Sequence, residues 1–337
     1  MTYKITVQPG GQTCLAESGA SVLRAALAAH INLPYGCRNG TCGSCKGRVL
    51  QGRVDHGYAD AGALNEAEKA QGYALFCCAH PLSDLVIEAR RIDADPTHEV
   101  KNLPARVERM QRLAPDVMAL FLKLPGDQGL AHAAGQYIEI ICADGKRRAY
   151  SLANAPHEAG LLQLHVRLSP GGGFSEQVFK TMKERDMLRL EGPLGRFQLD
   201  VASAKPIILL AGGTGFAPIK SIMEHLLHLG LQRRVDLYWG ARDRAGLYLP
   251  ELPLRWAAEH AVRYVPVLSE PQPADLWEGR RGLVHEAVLA DFADLSGHQV
   301  YAAGSPAMVV AAQRDCLARG LPAEEFFADA FNFAVYP

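Results

Sequence analysis

Cys37, Cys42 and Cys45 fall in the stretch CRNGTCGSCK, with four and two residues between them and with Gly36, Gly40 and Gly43 close by. Clustered thiols in a reducing compartment are metal ligands or redox groups more often than disulfide partners. The C-x4-C-x2-C run is a spacing used to hold a 2Fe–2S cluster. Three glycines suit that task, because the backbone must curl round a cluster through dihedrals that other residues disfavour. Zinc is the competing reading, but zinc sites usually pair two C-x2-C arms, and only one such arm exists here. A fourth ligand must come from further along, where CCAHPLSDLVIE offers Cys77 and Cys78. In a strand neighbouring side chains face opposite ways, so only one of the two is expected to face a cluster, and spacing does not say which.

Three further stretches carry chemistry of another kind. RRAYSLANAP (147–156) follows an apolar strand and on its own could be a strand with an exposed charge. SPGGGFSEQVF (169–179) runs from glycines into a helix, and free N–H groups at such a start suit an anion. KPIILLAGGTGFAPIKSIMEHLLHLG (205–230) reads as strand, glycine turn and helix. Its helix should bury Ile219, Ile222, Met223, Leu226 and Leu227 on one face, with Pro218 in the first turn, where a missing N–H costs little. The turn lacks the third glycine of G-x-G-x-x-G and the Lys-Ser/Thr of a P-loop, so alone it supports only a phosphate-cradling turn. Cys14, Cys142 and Cys316 stand singly in apolar surroundings and read as small buried hydrophobes.

The elements that must position these residues form three blocks. A chain of 337 residues exceeds what one core usually holds, so more than one domain is expected. Residues 1–92 hold short strands, the helix SVLRAALAAH and the cysteines. DADPTHEVKNLP, bracketed by Pro96 and Pro104, reads as a linker centred on 93–102. Residues 103–202 read as five strands (ARVERMQRL, VMALFLKL, QYIEIICA, LLQLHVRLS and MLRLEGPL), which suggests a small antiparallel barrel. From 203 to 337, PIILLA, RVDLYWGA, AVRYVPVLS and QVYAAG alternate with helical segments, as in a parallel α/β sheet. The net charge of −1 and the lack of a basic stripe argue against nucleic acid. No stretch is apolar enough for a membrane span, and the start MTYKITVQPGG lacks signal-peptide character, so a cytoplasmic location is expected.

Taken together, these stretches resemble the ferredoxin–NADP reductase superfamily, fused to an N-terminal plant-type ferredoxin domain. The resemblance covers essentially the whole chain, with the order AGGTGFAP, YWGAR, PVLSEP and VYAAGSPAM in the last block. It implies a β-grasp ferredoxin domain, an FAD-binding β-barrel and a Rossmann-like NAD(P)-binding domain. LFCCAHP matches the family's L-x-C segment and implies Cys77 as the fourth cluster ligand, with Cys78 outside the set. The family's R-x-Y-S and G-x-x-S motifs imply that Arg148 grips the FAD pyrophosphate, Tyr150 lies against the isoalloxazine and Ser151 bonds near its reactive nitrogen. They also imply that Gly172, Gly173 and Ser175 hold phosphates. Gly212, Gly213, Thr214, Gly215 and Gly304 would line the dinucleotide site, and Phe331 would cover the flavin. Relatives often carry Cys where Ala303 stands, which bears on the tuning of hydride transfer. Arg242, Asp243 and Arg244 send mixed signals about a 2′-phosphate, and the resemblance favours NADH over NADPH.

The implied activity is NADH-dependent electron transfer through FAD and the cluster to a partner protein. The order matches the chemistry: nicotinamide gives two electrons, a 2Fe–2S cluster takes one, and a flavin mediates between them. The resemblance is to the CDP-6-deoxy-Δ3,4-glucoseen reductase-like group, with reductases of phenol and methane oxygenases nearby. A dehydratase or an oxygenase component is therefore the expected acceptor. With nine Lys or Arg against seven Asp or Glu in residues 1–92, that domain should not dock through a strongly acidic face. A non-enzymatic iron–sulfur carrier is the remaining alternative, disfavoured by the intact flavin and glycine-turn motifs.

Overall fold

The computed structural model describes residues 2–29, 31, 33–36, 38, 40, 43–89, 100–126, 129–158 and 160–331. The chain divides into two compact units, 1–97 and 98–337. Most of the expected linker, together with Cys37 and Cys42, lies outside the described residues.

The first unit is a mixed sheet covered by a helix. Its elements are β1 (Thr2–Gln8), β2 (Gln12–Glu17), α1 (Val22–Ala28), β3 (Lys46–Gln51), β4 (Val54–Asp55), α2 (Glu66–Ala70), β5 (Tyr73–Leu75), β6 (His80–Pro81) and β7 (Leu85–Glu88). The main sheet runs β2-β1-β7-β3-β5, with β1 parallel to β7 and the other pairs antiparallel. Alternation along β1 sends Ile5 and Val7 inward, where they meet Val22, Leu23 and Ala26 of α1. Ser21 starts that helix by accepting the Arg24 N–H at 3.3 Å, an ordinary N-cap.

The second unit opens with the antiparallel strands β8 (Lys101–Ala114), β9 (Val117–Lys123), β10 (Tyr137–Ile141), β11 (Arg147–Ser151), β12 (Leu162–Arg167) and β13 (Met187–Leu194), plus α3 (Phe174–Lys180). Their order is β11-β10-β13-β8-β9-β12, and a bridge between Leu152 and Leu164 joins the two ends into a closed barrel. The barrel thus has one strand more than the apolar pattern implied, and the extra strand is RRAYS itself. It lacks a simple apolar alternation because Arg147 is held on the barrel wall by Glu139 and Glu191, at 3.1 and 2.9 Å. Strand β8 also starts two residues inside the expected linker. Pro104 is accommodated because that stretch pairs with β13 alone, while β9 joins only from Arg106, an edge-like position where proline is tolerated.

The chain continues as β14 (Ile207–Gly212), α4 (Phe216–His228), β15 (Val235–Ala241), α5 (Glu251–Glu259), β16 (Val262–Leu268), β17 (Arg280–Arg281), α6 (Val284–Asp291), β18 (Gln299–Gly304), α7 (Pro306–Ala318) and β19 (Phe326–Ala330). These strands form one parallel sheet in the order β17-β16-β15-β14-β18-β19. Central β14 is almost wholly buried, as a strand covered on both faces must be. In α4, Ile219, Ile222, Met223 and Leu226 are buried, and Leu227 is half-buried against the same core. Lys220 and Ser221 on another face are buried as well, because α4 also packs on the barrel. Of the isolated cysteines, Cys14 and Cys316 are buried and Cys142 is partly exposed, so Cys142 is not a core residue. Burial raises all three thiol pKa values, that of Cys316 to about 12.

Candidate functional site

The cluster loop of the first unit bends through left-handed backbone at Arg38, Gly40 and Gly43 (φ 57°, 81° and 73°). Cys45 closes the loop at the start of β3, and its Sγ lies 3.2 Å from that of Cys77. Both thiols are buried, so two of the expected ligands, 32 residues apart, converge on one interior point. The expectation that Cys77 and Cys78 point opposite ways is not met. Residues 76–78 form a turn, not a strand, in which the N–H groups of Cys78 and Ala79 both donate to Leu75 O at 2.9 and 2.8 Å. The two sulfurs consequently lie 3.5 Å apart.

In the second unit, Arg148 and Tyr150 lie on β11, paired with Ile140 and Ile138 of β10. Arg147 is engaged by carboxylates, and Arg148 Nη1 donates to Arg147 O at 3.0 Å. Tyr150 packs on Phe174 with ring centroids 5.4 Å apart, and burial pushes its phenol pKa up. The Ser175 hydroxyl accepts from Ser169 N at 3.1 Å and lies 3.3 Å from Ser169 O. It therefore shapes the glycine turn, with Gly171 and Gly173 at φ 72° and 53°.

Ser151 ends β11, and its Oγ donates to Asp329 Oδ2 at 2.9 Å. Both groups are buried, and Asp329 sits on β19 of the parallel sheet. Two residues on, the Phe331 N–H donates to Gly304 O at 2.7 Å. The same junction is clamped by α4: Lys220 Nζ donates to Ala153 O at 3.1 Å and Ser221 Oγ to Asn154 O at 2.8 Å. Behind it, burial lowers the pKa of His165 to about 3. The Tyr248 hydroxyl lies 2.9 Å from its Nδ1 and the Gln163 Nε2 lies 3.1 Å from its Nε2.

The glycine turn forms a short helical turn, Gly213–Gly215, between β14 and α4. Trp239 Nε1 donates to Gly213 O at 3.0 Å, and Trp239 stacks on Phe216 at 3.8 Å. A Cβ on Gly215 would fall on the Ala303 carbonyl, so this glycine is required for close packing against β18. Gly215→Ala is expected to cost about 1–3 kcal/mol by overpacking, read as a lowered Tm of the flavoprotein half; an unchanged Tm would contradict that packing. Gly212 and Gly304 likewise stand back to back, a Cβ on Gly304 falling 3.1 Å from Gly212 Cα.

Beside the turn opens a cleft of about 510 Å³, lined by Gly212, Gly213, Thr214, Arg242, His285 and Phe331 among others. Arg167, also on its wall, pairs through Nη1 with Asp116 at 2.7 Å. Its Nε and Nη2 are buried and have no hydrogen-bond partner among the described residues. Nη2 is 3.7 Å from where a Gly213 Cβ would stand. Buried donors without acceptors are costly, so this corner suits an anionic ligand such as a dinucleotide pyrophosphate. Arg244 is tied to Asp275 through its N–H and Nη1, at 3.3 and 3.1 Å. Asp243 caps the next turn by accepting from Gly246 N at 2.9 Å, and both Arg242 and Asp243 line the cleft, Arg242 being the cation of that trio on its wall. Neither Asp329 nor Arg167 was singled out in the sequence; a lone carboxylate in FFADAF and a lone arginine at a strand end give no local signal.

Matches to family models cover each part: a 2Fe-2S iron-sulfur cluster binding domain at 5–82, an oxidoreductase FAD-binding domain at 104–199 and an oxidoreductase NAD-binding domain at 209–314. The chain is 39% identical over 332 residues to the CDP-6-deoxy-L-threo-D-glycero-4-hexulose-3-dehydrase reductase of Yersinia pestis, covering 98% of this chain and 99% of that one. It is 38% identical over 341 residues to the reductase component of phenol 2-monooxygenase from Pseudomonas sp. (strain CF600), covering 99% and 96%. Among solved structures, the Amycolatopsis cytochrome P450 reductase GcoB superposes with a TM-score of 0.80 at 35% identity, covering 98% of this chain and 100% of that one.

Proposed function

The chain belongs to the ferredoxin–NADP reductase superfamily, in the branch with an N-terminal 2Fe–2S domain, and from that premise we propose how its residues divide the work of an NAD(P)H-dependent oxidoreductase. One observation carries the assignment: the flavin-motif strand β11 ends at Ser151, bonded to Asp329 beside the cleft that Phe331 and the glycine turn line. The two redox cofactors that must exchange hydride would thereby share a wall.

The residues present fit all three groups. Cys45 and Cys77 are two buried soft donors within one loop-and-turn site, and with Cys37 and Cys42 they would make up the ligand set of a cluster. Arg148, on the same strand as Tyr150, suits the FAD pyrophosphate, for which a planar guanidinium is apt. Tyr150 would lie along the flavin, while Gly172 and Gly173, in the turn closed by Ser175, would hold phosphates through backbone N–H groups. The orphaned donors of Arg167 and the backbone of Gly212, Gly213, Thr214 and Gly215 would hold the dinucleotide, NADH in our reading. FAD supplies the step from paired to single electrons. Ser151, whose proton is donated to Asp329, would present its hydroxyl oxygen as an acceptor at the reacting edge, and Phe331 would cover the site against water. Among the described residues no helix is long and apolar enough to cross a membrane.

The acceptor is an electron-accepting protein, a sugar-nucleotide dehydratase in the first reading, supported by the Yersinia relative. An oxygenase component is the second, supported by the phenol monooxygenase reductase. Coupled assays decide between them. The reductase with NADH should sustain turnover of a purified CDP-hexulose dehydrase, and product formed only with a phenol oxygenase component would overturn the first reading.

A further inference from the structure

The turn that brings Cys77 to the cluster loop carries a second sulfur that the ligand set does not use. Cys78 is fully buried, and its Sγ stands 3.5 Å from that of Cys77. On its other side it fills space left by a glycine of the cluster loop, since a Cβ on Gly40 would come within 2.6 Å of the Cys78 sulfur. A strand would have turned Cys78 away. The turn closed on Leu75 O rotates successive side chains by roughly the 100° of a helix rather than the 180° of a strand, so both thiols enter one interior. Among the described residues, Cys77 Sγ is therefore flanked by the sulfurs of Cys45 at 3.2 Å and Cys78 at 3.5 Å.

Resting on the reading of Cys77 as the fourth ligand, we propose that Cys78 is a positioning residue of the cluster, whose S–H donates a hydrogen bond to the Cys77 sulfur and raises the cluster's reduction potential. The direction follows from chemistry. A ligating cysteine is a thiolate and has no proton to give, so within the Cys77–Cys78 contact only Cys78 can donate. A thiol is a weak donor, but full burial leaves no water to compete for it or to replace it. The reduced cluster holds one more electron, shared in part by its ligand sulfurs. A donor at one of those sulfurs stabilises the reduced state more than the oxidised one, and hydrogen bonds to sulfur are among the factors that set such potentials. Cys78 would make the cluster a better sink for flavin electrons, at the expense of driving force toward the acceptor.

The test is an anaerobic redox titration of the full-length holoprotein, following the EPR signal of the reduced cluster in wild type, Cys78→Ala and Cys78→Ser. Iron and sulfide content and bound FAD are measured alongside. In Cys78→Ala the midpoint should move to a more negative value, with the reduced-to-oxidised ratio at fixed poise falling about threefold to tenfold, the worth of one modest hydrogen bond. Cys78→Ser keeps a donor in place and should restore the midpoint at least in part. An unchanged midpoint in both variants, or an equal negative shift in both, would overturn the proposal, the second pattern marking a packing effect. Failure of both variants to assemble the cluster would overturn it too, since a donor outside the ligand set is not needed for assembly. A cluster that survives Cys77→Ala but not Cys78→Ala would instead remove the ligand reading on which the proposal stands.

Discussion

Cys77→Ala is expected to strip the protein of its 2Fe–2S cluster, leave FAD bound, and cut NADH-dependent cytochrome c reduction by at least about tenfold, ~1.4 kcal/mol in barrier. NADH–ferricyanide activity should persist, because ferricyanide is small enough to take electrons directly from the flavin, whereas a bulky protein acceptor collects them at the cluster. The expectation rests on the two compact units, 1–97 and 98–337: each has its own core, so loss of the cluster need not unfold the flavoprotein half. Loss of both activities with FAD still bound would mean that the cluster is not simply the exit, and the linear order from NADH to FAD to cluster would have to be abandoned.

Ser151→Ala should slow reduction of the bound flavin by NADH about a hundredfold, the scale of removing one well-oriented hydrogen bond at a reacting atom. Flavin content should not change, because Arg148, Tyr150 and the glycine turn remain. The Ser151 hydroxyl has a defined direction because it donates a hydrogen bond to Asp329 at 2.9 Å in a buried setting, which leaves its oxygen to accept at the flavin. Stopped-flow absorbance at the flavin band under anaerobic conditions measures the step in isolation. A wild-type rate in the alanine variant would show that the hydroxyl plays no part in transfer and serves only to join β11 to β19.

The cofactor set was legible in the sequence through the family resemblance that its motifs carry together, because each motif spans only a few consecutive residues. C-x4-C-x2-C and its glycines fix the curl of one loop. R-x-Y-S fixes the alternation of one strand, and G-G-T-G-F fixes one turn between strand and helix. Apolar runs such as PIILLA likewise announce a buried parallel strand without reference to the rest of the chain. The sixth barrel strand was not legible as a core element, since RRAYS becomes wall only when Glu139 and Glu191 arrive from other strands to pair Arg147.

Tertiary structure alone decided the remainder, and in each case the reason is a partner distant in sequence. Asp329 becomes part of the site through a contact with Ser151, 178 residues away. Arg167 becomes part of the cleft wall because β12 brings it beside Gly213, where two of its nitrogens have no partner among the described residues. Lys220 and Ser221 are buried in a helix face that reads as polar, because the barrel covers it. The Cys77–Cys78 pair shows the limit most directly. Strand periodicity assigns the two sulfurs to opposite sides, and a single turn closed on Leu75 O sets them 3.5 Å apart. Side-chain direction depends on backbone dihedrals, and at a junction between elements packing sets those dihedrals.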